Sequence, residues 1–268
     1  MTITLLGIPH DCNSSFLGGT AQAPKPIREA VLSDSANMFC EAGHDLGAPG
    51  VLDIADDLAV TALRGQSGFD EIFAGVTRHL DQGNQVISIG GDHSISYPAI
   101  MAHIERHGPL SVLHFDAHPD LYDDFEGNPF SHASPFARLM ESGKVRRLVQ
   151  VGIRTLNTHQ REQAARFGVE QHEMRDLSDL DTLCFDGPLY ISIDLDALDP
   201  AYAPGVSHHE PGGLSTRQVL DCIHKTRGRL IGGDVVEYNP TRDFNGVTAM
   251  VAAKLVKELA GRMLDDAV

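Results

Sequence analysis

Three short clusters of carboxylate and imidazole side chains are the residues of this sequence best suited to chemistry. The first contains Asp116, His118 and Asp120, which directly follow the apolar run 110–115. Side chains at alternate positions of an extended strand share one face, so these three should converge beyond the end of a strand. The two carboxylates would repel each other there unless a cation lay between them. Taken alone, the cluster leaves a solvated acidic loop with an incidental histidine as the alternative.

Two further strand ends carry side chains of the same kinds. His93 follows the run 86–89 in a Gly-Gly-Asp-His segment, and Asp194 and Asp196 follow the run 189–193. Taken singly, the histidine could be a polar turn residue, and the aspartates could cap the loop before Asp199. Because three strand ends all present oxygen or nitrogen ligands, two of them at alternating spacing, a metal site is favoured over coincidence.

The chemistry of this ligand set indicates the metal. It comprises four carboxylates and two imidazoles with no thiolate, which favours Mn²⁺, with Co²⁺, Ni²⁺ or Fe²⁺ as substitutes, over a structural zinc ion. Six ligands are too many for one tetrahedral ion but suit two ions. A pair of divalent cations about 3.5–4 Å apart can activate water for attack on an electrophilic carbon. The pattern therefore predicts a hydrolase with two metal ions.

Strands and helices alternate along the whole sequence, which predicts how the clusters are positioned. Such alternation indicates a three-layer α/β/α fold with a central, mostly parallel sheet, and we expect a single domain over 1–268. Ligands of such sheets bind at the carboxyl ends of the strands, where all three clusters fall. The predicted strands are 3–8, 51–54, 86–89, 110–115, 148–153, 169–172, 189–193 and 230–236, and the predicted helices are 26–32, 69–82, 97–107, 136–141, 159–167, 216–226 and one near the C-terminus.

Composition excludes several classes of protein. The 268 residues carry a net charge of −16, which argues against nucleic-acid binding and suits a cationic substrate. No apolar run reaches the ~20 residues of a membrane span. Phosphate-binding glycine loops and the serine-hydrolase elbow are absent from the sequence. The four cysteines form no paired motif, and the N-terminus lacks a basic signal region. We therefore expect reduced thiols and a cytoplasmic location.

Three segments resemble the signatures of the ureohydrolases, which include arginase and agmatinase. They are 90–94 (Gly-Gly-Asp-His-Ser), 116–120 (Asp-Ala-His-Pro-Asp) and 192–200 (Ser-Ile-Asp-Leu-Asp-Ala-Leu-Asp-Pro). The similarity extends over essentially the whole chain and is greatest to plant-type arginases, although His209 stands where those enzymes tend to have isoleucine. The resemblance implies hydrolysis of L-arginine to L-ornithine and urea, with agmatinase or another guanidino-acid ureohydrolase as the alternative. A non-catalytic scaffold is a third possibility, which the intact ligand set disfavours.

The resemblance also implies a role for each site residue. One Mn²⁺ would be bound by His93, Asp116, Asp120 and Asp194, and the second by His118, Asp116, Asp194 and Asp196. Asp120 would transfer a proton to the leaving amine, His132 would act as a proton shuttle, and Glu237 would hold the guanidinium group. The flanking loops offer four candidates for contact with the rest of the substrate: Asn128, Ser131, His208 and His209. The family further suggests a homo-oligomer, either a trimer or a hexamer.

Overall fold

A single eight-stranded sheet forms the centre of the computed structural model, which describes residues 2–177 and 182–266. All neighbouring strands are parallel, and their order is β2-β1-β3-β8-β7-β4-β5-β6. The predicted fold class is confirmed, with a sheet that is parallel throughout rather than mostly parallel. The strands are β1 (Ile3–Gly7), β2 (Leu52–Ile54), β3 (Gln85–Ile89), β4 (Leu110–Phe115), β5 (Val145–Ile153), β6 (Glu170–Glu173), β7 (Cys184–Asp194) and β8 (Arg227–Val236).

Helices cover both faces of the sheet. They are α1 (Pro24–Val31), α2 (Gln66–Asp81), α3 (Ser96–His107), α4 (Pro135–Glu141), α5 (Thr158–Phe167), α6 (Thr216–Lys225) and α7 (Val247–Asp265). Helices α1, α6 and α7 pack together over one apolar core, while α2, α3, α4 and α5 cover the other face. Among the described residues, no helix combines the length and the apolar character needed to cross a bilayer.

Most predicted boundaries lie within three residues of those observed, and β7 is the main exception. This strand begins at Cys184, whereas the apolar pattern predicts a start at Leu189. The intervening Asp186, Gly187 and Pro188 are typical of a turn, and Gly187 has a φ of 80°. The register with β8 shifts between Cys184 and Pro188, so the strand accommodates these residues in a bulge.

The strand order brings distant parts of the sequence to one edge. Strands β3 and β4 follow each other in the chain but are separated in the sheet by β8 and β7. Asp194 is the last residue of β7, and His93, Asp116 and Glu237 follow the carboxyl ends of β3, β4 and β8. The ends of parallel strands around a reversal in strand order form the usual ligand crevice of an open α/β sheet. The fold thus places all three clusters in one crevice.

Candidate metal centre and active site

The first group of converging ligands surrounds His93. Its Nδ1 atom lies 3.1 Å from an oxygen of Asp116, 3.1 Å from an oxygen of Asp120 and 3.3 Å from an oxygen of Asp194. The ring is fully buried, yet Nδ1 forms no hydrogen bond with any described residue. A ring nitrogen and three carboxylate oxygens that converge on one point are the donors that a divalent cation needs.

A second group adjoins the first through Asp116. The Nδ1 atom of His118 lies 3.3 Å from Asp116 Oδ1 and 3.1 Å from Asp196 Oδ2. Ligand atoms of these three residues all lie within 4.8 Å of one another. Asp116 directs Oδ2 toward His93 and Oδ1 toward His118, so it is shared by both groups.

Electrostatics support a cation at this position. Burial, followed by the charges of Asp196 and Asp116, raises the pKa of Asp194 well above its usual range. Burial and the charge of Asp116 likewise raise the pKa of Asp120 to about 6. Buried carboxylates this close together disfavour ionisation unless positive charge is supplied. The residues present therefore fit a divalent metal centre.

Local backbone geometry explains why two glycines precede His93. Gly90 and Gly91 have φ values of 87° and 78°, a region that favours glycine. A Cβ atom on Gly91 would lie only 2.6 Å from the carbonyl oxygen of His10. The backbone N–H of His93 donates a hydrogen bond of 2.9 Å to Glu237 Oε1. This tight turn therefore holds the histidine against the end of β8.

His132 and Glu237 form a buried pair beside the metal ligands. The Nδ1 atom of His132 donates to Glu237 Oε1 at 2.9 Å, while Nε2 lies 2.9 Å from the hydroxyl oxygen of Ser15, to which the protonated ring donates. Burial lowers the pKa of His132, but the hydrogen bond and the charge of Glu237 outweigh this effect and raise the pKa to about 9. The side-chain hydrogen bonds from His93 and His132 both end on Glu237 Oε1, and Glu237 lines the adjoining cleft.

A cleft of about 260 Å³ opens above these groups. Of the four candidates for substrate contact, only His208 is among its lining residues, with its ring centroid 5.3 Å from that of His132. Asn128 instead donates to Asn13 at 3.4 Å, Ser131 accepts from the backbone of Ala133, and the exposed His209 lies 2.7 Å from the carbonyl oxygen of Pro204. The lining includes further polar residues that the sequence did not suggest: Ser15, Tyr122, Thr155, Asn157 and Gln160.

His114 is a further imidazole that the sequence pattern left unassigned. It lies with His93 and Asp116 close enough to be a metal ligand. However, Gln150 Nε2 donates to His114 Nδ1 at 3.0 Å, so Nε2 must carry the proton that it donates to Asp116 at 2.8 Å. Burial also lowers the pKa of His114 to about 4, which keeps the ring neutral. We therefore infer that His114 supports Asp116 through a hydrogen bond and is not itself a metal ligand.

Comparison with known proteins identifies the family. The sequence model of the Arginase family matches residues 1–261. The chain is 50% identical to a mitochondrial arginase of Medicago truncatula, over 98% of this chain and 82% of that protein. It is also 50% identical to the chloroplastic/mitochondrial arginase 2 of Arabidopsis thaliana, over 98% of this chain and 80% of that protein. The solved structure of arginase from Medicago truncatula superposes with a TM-score of 0.94 at 48% identity, covering 98% and 87% of the two chains. The chain belongs to the arginase family.

Membership of the arginase family confirms the predicted class of enzyme. Arginase-family hydrolases act on a C–N bond of a guanidino group and depend on metal, which agrees with the His and Asp groups at the sheet edge. The expected cytoplasmic location is wrong, because it is contradicted by plant relatives whose names place them in mitochondria or chloroplasts.

Proposed function

We propose that this protein hydrolyses L-arginine to L-ornithine and urea with the help of two Mn²⁺ ions. The observation that carries the proposal is the identity of about half of all residues, over nearly the whole chain, with proteins named arginase. The acidic floor of the cleft supports it, since Asp120, Asp194, Asp196 and Glu237 suit a cationic guanidinium group.

The converging side chains suggest how the metal ions would be held. One ion would be bound by His93, Asp116, Asp120 and Asp194, and the second by His118, Asp116, Asp194 and Asp196, with Asp116 and Asp194 shared. This assignment of ligands to the two ions is supported by the contacts of His93 with three carboxylates and of His118 with two carboxylates. Bound divalent cations make water nucleophilic at neutral pH and stabilise negative charge that develops during its addition.

The chain's own residues would orient the substrate and move its protons. Glu237, which lines the cleft, would hold the planar guanidinium group, because carboxylates bind such groups with a defined orientation. Asp120 lines the cleft beside the proposed metal ligands and can take a proton as water adds to the guanidinium carbon. It then returns this proton to the substrate nitrogen as the C–N bond breaks, which releases urea and an amine. His132 lines the cleft and can exchange protons with solvent.

A side-by-side assay would test the choice of substrate. Among the described residues, no lysine or arginine lines the cleft, so an α-carboxylate would meet neutral donors such as His208 and Asn157. This observation makes agmatine, which lacks the carboxylate, the second substrate to test. We expect more urea from arginine than from agmatine after reloading with Mn²⁺, and the reverse preference would contradict the proposal.

Replacement of the proposed proton carrier would test the mechanism. The Asp120→Asn variant keeps the shape of the side chain but can no longer accept and return a proton. We expect a fall in kcat of about 10²- to 10⁴-fold, the usual contribution of general acid–base catalysis. Metal content should be measured on the same sample, because Asp120 is also a proposed ligand. Unchanged turnover would contradict its role and would favour a different proton carrier.

We also propose that the protein is a homo-oligomer, either a trimer or a hexamer. Several large apolar side chains are exposed, including Phe16 at 66%, Phe39 at 49% and Phe244 at 70%. Side chains exposed singly are normal on a monomer, so the proposal follows from the family resemblance. Light scattering would measure the molar mass, and a monomer at micromolar concentration would contradict the proposal.

A further inference from the structure

A row of polar side chains crosses the sheet beneath the metal ligands. The six neighbouring strands β3, β8, β7, β4, β5 and β6 contribute one residue each. Each of these residues is the register partner of the residue on the next strand. All but the last are buried. Register partners in a parallel sheet share one face, so the row lies beside the ligands rather than on the opposite face. We call it the polar row, and its members are Ser88, Asp234, Ser192, His114, Gln150 and Gln171.

One half of the polar row determines which nitrogen of His93 carries a proton. Ser192 Oγ donates to Asp234 Oδ1 at 2.7 Å, and Tyr190 donates to Asp234 Oδ2 at 2.9 Å. Because the single hydroxyl proton of Ser192 is used in this way, its oxygen must accept from His93 Nε2 at 3.0 Å. In the neutral ring, which is the form that binds a cation, the proton is thereby fixed on Nε2 and the lone pair is left on Nδ1. Nδ1 is the atom that faces the three carboxylates at 3.1–3.3 Å.

The other half of the polar row supports Asp116 through a similar sequence of donors. Gln171 donates to Gln150 Oε1 at 2.8 Å, which fixes the orientation of the Gln150 amide. The amide nitrogen of Gln150 donates to His114 Nδ1 at 3.0 Å and to the carbonyl oxygen of Pro119 at 2.6 Å. His114 must then donate from Nε2 to Asp116 Oδ2, at 2.8 Å. The shared carboxylate is thus oriented before any cation binds.

We propose that the hydrogen-bonded part of the polar row, from Asp234 to Gln171, is a support layer that sets the tautomers of His93 and His114 and so orients the metal ligands in advance, whereas Ser88 at the end of the row takes no part in it. Within it, Ser192 is a positioning residue for His93. The inference rests on the proposed function only in that it takes a divalent cation as the ligand of the site. Loss of a group that orients a ligating histidine typically weakens metal binding by about 10- to 100-fold.

Two serine-to-alanine variants within the polar row provide a matched test. Ser192→Ala removes the oxygen that receives the proton of His93. Ser88→Ala removes a hydroxyl from the same row, but Ser88 Oγ forms no hydrogen bond with residues of the described part of the chain. Metal-free proteins would be titrated with Mn²⁺ while electron paramagnetic resonance measures free Mn²⁺. We expect Ser192→Ala to weaken one of the two binding steps by about 10- to 100-fold, and Ser88→Ala to leave both unchanged.

Further measurements separate positioning from a general loss of structure. Excess Mn²⁺ should restore kcat of the Ser192→Ala variant, which it would not do for a misfolded protein. Asp234→Asn, which preserves side-chain volume, should weaken the same binding step if Ser192→Ala fails to fold. On the unsubstituted protein loaded with diamagnetic Cd²⁺, ¹⁵N NMR should detect a slowly exchanging proton on His93 Nε2.

The outcomes that would overturn the inference differ from those that would overturn the proposed function. Equal Mn²⁺ affinity of the unsubstituted protein and both row variants, or a His93 proton on Nδ1, would overturn the role of the polar row alone. Failure of the unsubstituted protein to bind any Mn²⁺ would overturn the proposed function as well. Tight Mn²⁺ binding without urea release from arginine would overturn only the proposed function.

Discussion

At the scale of single residues, the buried pair of His132 and Glu237 makes stability depend on pH. The pKa of His132 is raised from 6.5 to about 9, so the folded protein binds this proton more tightly than the unfolded chain does. The resulting stabilisation is fully present below pH 6.5 and is lost as the pH rises through about 9. A shift of this size corresponds to roughly 3 kcal/mol.

Urea denaturation of the metal-free protein at several pH values would measure this effect. We expect the free energy of unfolding to differ most between the protein and its His132→Asn variant at pH 6, and the difference to shrink above pH 9. His209→Asn is a suitable control, because this histidine is exposed and lies outside the cleft. A difference that stays constant from pH 6 to 10 would contradict the charged pair.

Single residues also show where prediction from sequence reaches its limit. Alternation along a strand predicted that Asp116, His118 and Asp120 converge, but β4 ends at Phe115 and Asp120 has a φ of 51°, so a turn after the strand, rather than continued alternation, brings them together. The same alternation puts His114 on the face of Asp116, but its position within an apolar run concealed it. Contacts between residues distant in sequence, such as that between Asn128 and Asn13, decide which side chains of the long loop 121–134 reach the cleft. No local pattern contains that information.

At the scale of elements, strand positions were predictable where apolar runs were uninterrupted. Strand β4 was predicted with its observed bounds, because every residue of it is buried. The first part of β7 was missed, since turn-forming residues at 186–188 are accommodated by a bulge against β8. Strand order was not predictable from the sequence, because the insertion of β7 and β8 between β3 and β4 depends on pairing over long distances along the chain.

The turn after β3 is the element whose substitution should be most damaging. Gly91→Ala would require a φ near 78° and would place Cβ within 2.6 Å and 2.7 Å of two backbone oxygens. We expect the free energy of unfolding to fall by about 2–4 kcal/mol, from backbone strain together with overpacking. Gly83→Ala is the matched control, since its φ is 84° but no atom lies within 4 Å of the added Cβ.

Denaturant unfolding would compare the two glycine variants directly. The free energy of unfolding of the Gly83→Ala control should fall by only about 1–2 kcal/mol, the cost of the left-handed backbone conformation. Mn²⁺ affinity should also fall in Gly91→Ala, because the turn carries His93, and should not change in Gly83→Ala. Equal destabilisation by the two substitutions, with Mn²⁺ affinity retained in both, would show that the turn tolerates a side chain.

At the scale of the whole molecule, the metal centre should act as a cross-link between strands that are distant in sequence. Its ligands follow β3, β4 and β7, and the buried carboxylates repel one another without a cation. A ligand that binds only the folded state at 1,000 times its Kd stabilises that state by about 4 kcal/mol. For a chain of this size we expect Tm to rise by roughly 8–16 °C when Mn²⁺ is added to the metal-free protein.

Differential scanning calorimetry with two cations would distinguish this cross-link from a general effect of ionic strength. Mg²⁺ at the same concentration should raise Tm much less, because it prefers oxygen ligands and retains its water, whereas this site supplies imidazole from His93 and His118. The Asp194→Asn variant should lose most of the response to Mn²⁺, since Asp194 is proposed to contact both ions. Identical melting with Mn²⁺, with Mg²⁺ and without either cation would mean that the sheet edge is stable on its own, and that its carboxylates are neutralised by protons rather than by metal.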